Sequence, residues 1–242
     1  MIPPELAELI KGYSIEEHPY NETGARIYRL TSVKGTLFLK IRISDQKQRL
    51  LREQITLKWL AGRIHTPEVI YYHTTNEISF LLTTEVKGTP IYQIPKKDRQ
   101  SAIIIAAKTL RNIHKIPIKN CPFNNSLKDR FEKAETLNLS ENKKIMLLNL
   151  ISSAPSETLV FTHGDYCLPN VLVSDSHLGG VIDWDASGVA DPYVDLASVA
   201  WSIEYNFPEE TEKLLNLFLN EYGVEIEENK FDFYLNLAQL LE

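Results

Sequence analysis

Up to about residue 85 the chain alternates short β-like runs with turns. Arg26–Leu30 and Thr36–Ile41 pattern as strands, with Ser32-Val33-Lys34-Gly35 between them as a hairpin turn. Leu51, Ile55, Leu57, Trp59 and Leu60 mark a helix over Leu50–Leu60, closed by Gly62. Val69–Tyr72 and Ser79–Thr84 pattern as two more strands. After Gly88 the period lengthens. Ser101–His114, Glu141–Ile151, Asp195–Tyr205, Glu209–Tyr222 and Phe231–Leu241 pattern as helices, and Leu159–Thr162 and Gly180–Ile182 as short strands. The expected fold is α+β: a small β-rich lobe, residues 1–86, then a larger mainly helical lobe, residues 87–242. No internal repeat or low-complexity tract interrupts it.

Composition narrows the function classes. The 242 residues are 43% hydrophobic and 24% charged, an ordinary globular balance. Two cysteines, Cys121 and Cys167, make neither a disulfide framework nor a metal-ligand spacing, which points to a reduced, cytoplasmic setting. No apolar run approaches the roughly 20 residues of a membrane span. The N-terminal Met1-Ile2-Pro3-Pro4 reads as a helix start, without a secretory layout. A net charge of −6 disfavours nucleic acid as a partner and suits a cationic small molecule. Oligomeric state is not legible.

The chemistry concentrates in His163-Gly164-Asp165-Tyr166-Cys167-Leu168-Pro169-Asn170, followed thirteen residues on, from 170 to 183, by Asp183 in Ile182-Asp183-Trp184-Asp185. Phosphoryl transfer needs one carboxylate to orient the acceptor hydroxyl and take its proton, plus oxygen ligands that hold Mg²⁺ against nucleotide phosphates. An Asp and an Asn five residues apart in one loop, with a second Asp after the next short strand, provide an all-oxygen set of the kind Mg²⁺ prefers. The expected roles are Asp165 as catalytic base, and Asn170 and Asp183 as Mg²⁺ ligands.

These motifs resemble the aminoglycoside phosphotransferase family, and within it the 3′-phosphotransferase (kanamycin kinase) branch. Phe161–Asn170 is similar to that branch's catalytic loop, and Gly188–Ala197 to the segment that follows it. Trp59-Leu60-Ala61-Gly62-Arg63 and Cys121–Leu127 also match, so the resemblance spans nearly the whole chain. It implies a bilobal, protein-kinase-like fold, ATP and Mg²⁺ as cofactors, and transfer of phosphate to an aminoglycoside hydroxyl with resistance as the outcome. It also implies that Lys40 pairs with the nucleotide phosphates and that Glu53, on the next helix, holds that lysine. Phe38, two residues before Lys40 on the same strand face, resembles the family's adenine-stacking aromatic and reads equally as a core residue. Thr23, in Glu22–Arg26, belongs to the loop expected to cover the nucleotide. Thr84 and Val86 match the hinge whose backbone would read the adenine edge. His163 and Asp195 resemble residues that fix the catalytic loop.

The substrate half departs from the pattern. Two acids expected near the C-terminus align with Ala238 and Gln239, the family's Asp-x-Gly-Arg-x-Gly is Asp183-Trp184-Asp185-Ala186-Ser187-Gly188, and the stretch from Leu127 to Phe161 is short. Asp185, Glu204, Glu209, Glu210 and Glu242 are candidate replacements, each of which also reads as an ordinary surface acid. Two other functions remain open: a kinase of the same fold acting on a different hydroxylated metabolite or antibiotic, and a non-catalytic nucleotide-binding module.

Overall fold

The structure, a computed structural model, describes residues 2–18, 25–43, 47–135 and 140–241. The chain divides into two units: Met1–Val86 with Val181–Ala186, and Lys87–Gly180 with Ser187–Glu242. The sequence pattern places a cut after residue 86 and gives no sign of the second visit at 181–186.

The first unit contains α1 (Pro4–Leu9), β1 (Ser14–Glu17), β2 (Ala25–Ser32), β3 (Gly35–Ile43), α2 (Lys47–Leu60), β4 (Val69–Thr74) and β5 (Ile78–Thr84). The strands form one antiparallel sheet in the order β1-β2-β3-β5-β4. Ser32 pairs with Gly35, so Val33-Lys34 is a two-residue hairpin loop, as the sequence indicates. The strand period of two then divides β3. Leu37, Leu39 and Ile41 pack with Leu30, Phe80 and Leu82 against Leu6 and Ile10 at and just beyond α1. Phe38, Lys40 and Arg42 therefore face the other side, where α2 lies. On α2 the buried positions are Leu50, Glu53, Gln54, Thr56, Leu57 and Leu60, a helical face that contains one acid.

β5 is covered on both faces, with Ser79 through Thr83 all buried, which is why its sequence reads as an unbroken run and not an alternation. β1 escapes sequence detection for the opposite reason. All four of its residues are exposed, so no apolar face marks it and only backbone pairing with β2 defines it.

The second unit contains β6 (Thr89–Pro90), α3 (Arg99–His114), α4 (Leu127–Glu135), α5 (Glu141–Ser152), β7 (Val160–Thr162), β8 (Val171–Ser174), β9 (His177–Val181), β10 (Gly188–Ala190), α6 (Tyr193–Asn206), α7 (Thr211–Tyr222) and α8 (Glu228–Leu241). β7 pairs with β10, and a second small sheet has the order β6-β8-β9. Asp175 and Ser176 join β8 to β9 with φ of 47° and 62°, the left-handed pair that a tight primed turn requires. The expected strand Gly180–Ile182 is the end of β9, which stops at Val181. Gly179 in β9 lies so close to the Lys87 carbonyl that any Cβ there would overlap it. Replacing Gly179 with alanine should therefore force a backbone shift and lower the unfolding free energy by about 1–3 kcal/mol, measured by urea denaturation.

Candidate active site

Lys40 lies at the centre of the first unit's polar residues. Its Nζ donates to Glu53 Oε1 at 2.7 Å and to Asp183 Oδ1 at 2.9 Å. A carboxylate on the buried stripe of α2 is unfavourable without a partner. Lys40 supplies the partner, on a strand face fixed by the register of β3. Burial opposes the lysine's charge, but Asp183 and Glu53 outweigh it and hold the ammonium above its ordinary value. Glu53 is 2% exposed, and its Oε2 has no hydrogen-bond partner among the described residues. Burial pushes its carboxyl up to about 7, against the pull of Lys40. Asp183 has φ of 64°, a left-handed conformation that Asp tolerates better than most residues.

The residues after Asp183 turn inward. Trp184 is fully buried and its indole N–H donates to the Val181 carbonyl at 2.9 Å. Asp185 is 4% exposed and is held by Arg42 at 3.3 Å and Arg49 at 2.8 Å, while Arg52 donates to its carbonyl at 3.1 Å. Asp185 is thus spent on arginines and is removed from the acids expected to meet a cationic substrate.

In the second unit β7 delivers the His163-Gly164-Asp165 loop. Asp195, fully buried on α6, accepts from the His163 amide at 2.8 Å and the Gly164 amide at 2.7 Å. Gly164 adopts φ of 87°, which lets consecutive amides converge on one carboxylate. His114 Nε2 lies 3.0 Å from Asp195, and its Nδ1 lies 2.7 Å from the Tyr222 hydroxyl. Burial pushes the Asp195 carboxyl up, but the His114 hydrogen bond and neighbouring charge outweigh it, so its value is depressed. His163 Nδ1 accepts from the Asp165 amide at 3.3 Å. These contacts fix the loop's backbone and leave the Asp165 side chain exposed.

Asn170 Nδ2 donates to the Asp165 carbonyl at 3.0 Å and to Asp165 Oδ2 at 3.3 Å. Both bonds use its amide nitrogen and orient its carboxamide. Ser198 Oγ donates to Asp165 Oδ1 at 3.4 Å.

The structure thus groups Lys40, Glu53 and Asp183 in the first unit, and Asp165 and Asn170 in the second. Phe38 is half-buried on the Lys40 face, with the His18 ring edge-on at 6.4 Å, and is not part of the core beneath Leu39. At the expected hinge the Thr84 amide donates to the Glu68 carbonyl at 3.0 Å, so that donor is committed within the first unit. Val86, two residues on, is buried. Glu210 pairs with Arg99 at 2.6 Å and leaves the list of replacement acids. Glu204 and Glu209 are exposed. Thr23 and Glu242 lie outside the described residues. Sequence reasoning missed His114, Tyr222, Ser198 and the three arginines around Asp185. Only the arginines left a trace, as Arg42 two residues after Lys40 and Arg49 three before Arg52.

Residues 21–234 match the model of the phosphotransferase enzyme family, most of the chain. The chain belongs to that family. An aminoglycoside 3′-phosphotransferase of Niallia circulans is 29% identical over 98% of this chain and 96% of its own. The crystal structure of a type VIII aminoglycoside 3′-phosphotransferase superposes with a TM-score of 0.84 at 27% identity, covering 98% of this chain and 96% of that one. An aminoglycoside phosphotransferase of Streptomyces rimosus, solved with ADP and streptomycin, gives 0.79 at 25% identity over 97% and 95%. The sheet-rich N-terminal part and helical C-terminal part are the fold of these kinase-like enzymes. Among the described residues no helix is long and apolar enough to cross a membrane.

Three outcomes follow. Removing Asp195 strands two amides and His114 in a buried place, so Asp195→Ala should cost roughly 3–5 kcal/mol in urea unfolding at neutral pH. A depressed carboxyl adds stability that is complete above its ordinary range and lost as pH falls. The gap between wild type and Asp195→Asn should therefore narrow below about pH 4. Glu53 has the opposite sign. Its contribution is full below the ordinary 4.5 and declines as pH rises towards about 7. Glu53→Gln should flatten the wild-type fall in unfolding free energy between those values.

Proposed function

We propose that this chain transfers the γ-phosphate of ATP to the 3′-hydroxyl of an aminoglycoside antibiotic in the cytoplasm, and so confers resistance. The observation that carries the reading is the Lys40 ammonium, held charged between Glu53 and Asp183 on the face of β3. That is the fixed cation a nucleotide triphosphate needs. The full-length relatives named aminoglycoside 3′-phosphotransferases support the acceptor class.

In this reading residues 1–86 are the nucleotide-binding lobe and 87–242 the catalytic and substrate-binding lobe. Lys40 binds phosphate and Glu53 orients it. Phe38 stacks on adenine, the backbone at Thr84 and Val86 reads the base edge, and Thr23 lies in the covering loop. At Thr84 the carbonyl, not the amide, makes that contact. Asp165 accepts the proton of the acceptor hydroxyl as its oxygen bonds to the γ-phosphorus and the bond to ADP breaks. Asn170 and Asp183 are the magnesium ligands. The donor set fits such an ion, since the Asn170 nitrogen is spent on Asp165 and its oxygen remains. When bound, magnesium offsets phosphate charge.

A second reading, the same kinase chemistry on another hydroxylated small molecule, is favoured by one set of observations. Asp185 and Glu210 are tied to arginines, and Ala238 stands where an acid is expected.

ADP release from Mg-ATP, with kanamycin and with a kanamycin analogue lacking the 3′-hydroxyl, separates the two. Turnover is expected with the first alone, and Asp165→Asn should lower kcat by about 10²–10⁴. An undiminished Asp165→Asn would sink the catalytic assignment. Nucleotide binding without turnover on any aminoglycoside would favour the second reading.

A further inference from the structure

α6 is enclosed by its own unit along almost its whole length. Tyr193 through Ala197, Val199, Ala200, Ser202 and Ile203 are all buried. The open positions are Trp201, Glu204 and Tyr205, with Ser198 and Asn206 half-buried. Residues 198, 201 and 205 follow the three-and-four spacing of a single helix face. On that face two large aromatics stand in solvent, Trp201 at 45% and Tyr205 at 73% exposure. Their rings are stacked, with centroids 5.2 Å apart and planes 13° from parallel.

The face begins at the reactive carboxylate, because Ser198 Oγ donates to Asp165 Oδ1. Trp201 follows about 4.5 Å further along the axis and Tyr205 about 10.5 Å. Helical side chains lean back towards the N-terminus, which here is the Asp165 end. Glu204 is exposed beside Tyr205, and Glu209 is exposed in the turn after the helix. Neither has an ion-pair partner among the described residues.

We infer that Trp201 and Tyr205 form a stacking platform for a ring of the cationic sugar acceptor beyond the one that is phosphorylated. This rests on the proposed function and specifies its acceptor site. The face of an aminosugar ring presents C–H groups flanked by ammonium groups. Aromatic faces attract both, the second through the cation–π interaction. Glu204 and Glu209 supply negative charge at the platform's edge. The platform replaces, with stacking, part of what the absent tail acids would provide by ion pairing.

The test is a KM-against-kcat comparison of wild type, Trp201→Ala, Tyr205→Ala and the conservative Trp201→Phe, with kanamycin as acceptor. The expected result is an acceptor KM about tenfold higher in each alanine variant. kcat should change less than threefold, KM for ATP should be unaltered, and Trp201→Phe should recover most of the loss. An unchanged acceptor KM in both alanine variants, with wild type active, would overturn the platform and leave the proposed function standing. A parallel rise in KM for ATP together with a lowered Tm would show a structural role and overturn it as well. So would a wild-type dimer in sedimentation that the alanine variants dissolve, since a second copy would then cover this face. Wild type inactive on every aminoglycoside would remove the proposed function, and the platform with it.

Discussion

An ammonium group out of water must be matched by negative charge, and at Lys40 this requirement organises the first unit. The strand period turns residue 40 away from the Leu37-Leu39-Ile41 face and towards α2. There the only remedy for its burial is carboxylate, and the chain supplies it twice, from Glu53 thirteen residues away and from Asp183 one hundred and forty-three away. The second bond explains why Val181–Ala186 joins a unit otherwise made of the first 86 residues. The return is secured on either side of Asp183. The Val181 amide donates to the His65 carbonyl at 3.1 Å, and Asp185 is gripped by Arg42 and Arg49. Arg42 shares the Lys40 face of β3, so one strand presents two cations to two aspartates spaced two apart.

The second unit solves a different problem, holding a loop rigid while leaving one carboxylate in solvent. Asp195 takes two consecutive loop amides, and its charge is steadied by His114, itself fixed by Tyr222. These partners come from α6, α3 and α7, so helix packing is transmitted directly to loop geometry. Asp165 then projects from a backbone held by these bonds, with Asn170 and Ser198 touching its oxygens. The arrangement fits catalysis by positioning, where displacement of a reacting group by about 1 Å is costly.

Much of this was legible before any coordinates. The strands β2, β3, β4 and β5 and the helices α2, α3 and α5 to α8 announce themselves by period, and the loop from His163 to Asn170 by its residue types. Several of the failures share a cause. β1 has no buried face, β6 and β10 have two and three residues, and the Asp175-Ser176 turn uses neither Asn-Gly nor Asp-Gly. None of these produces a hydrophobic rhythm. The supporting residues were hidden for a related reason. His114 and Tyr222 matter only because α3 and α7 bring them to Asp195, and such coincidences of packing leave no mark on local sequence. Asp185 misled because an acid beside a catalytic motif reads as available, whereas the arginines that consume it stand one hundred and thirty-three to one hundred and forty-three positions away.

The commitment of Asp185 and Glu210 bears on how such a chain can recognise a polycation at all. A carboxylate already paired with arginine contributes little field to a visiting ammonium group, because the cation beside it cancels most of the charge. A net charge of −6 therefore overstates what a substrate meets locally. What counts is the acids left without a partner and the surfaces that attract cations without being charged. On α6 both occur together, with Glu204 exposed on the same helix as the two stacked aromatic rings. A binding surface of that kind discriminates by ring shape more than by the number of ammonium groups. It would tolerate loss of the tail acids at Ala238 and Gln239 and trade breadth among polycations for preference among sugar skeletons.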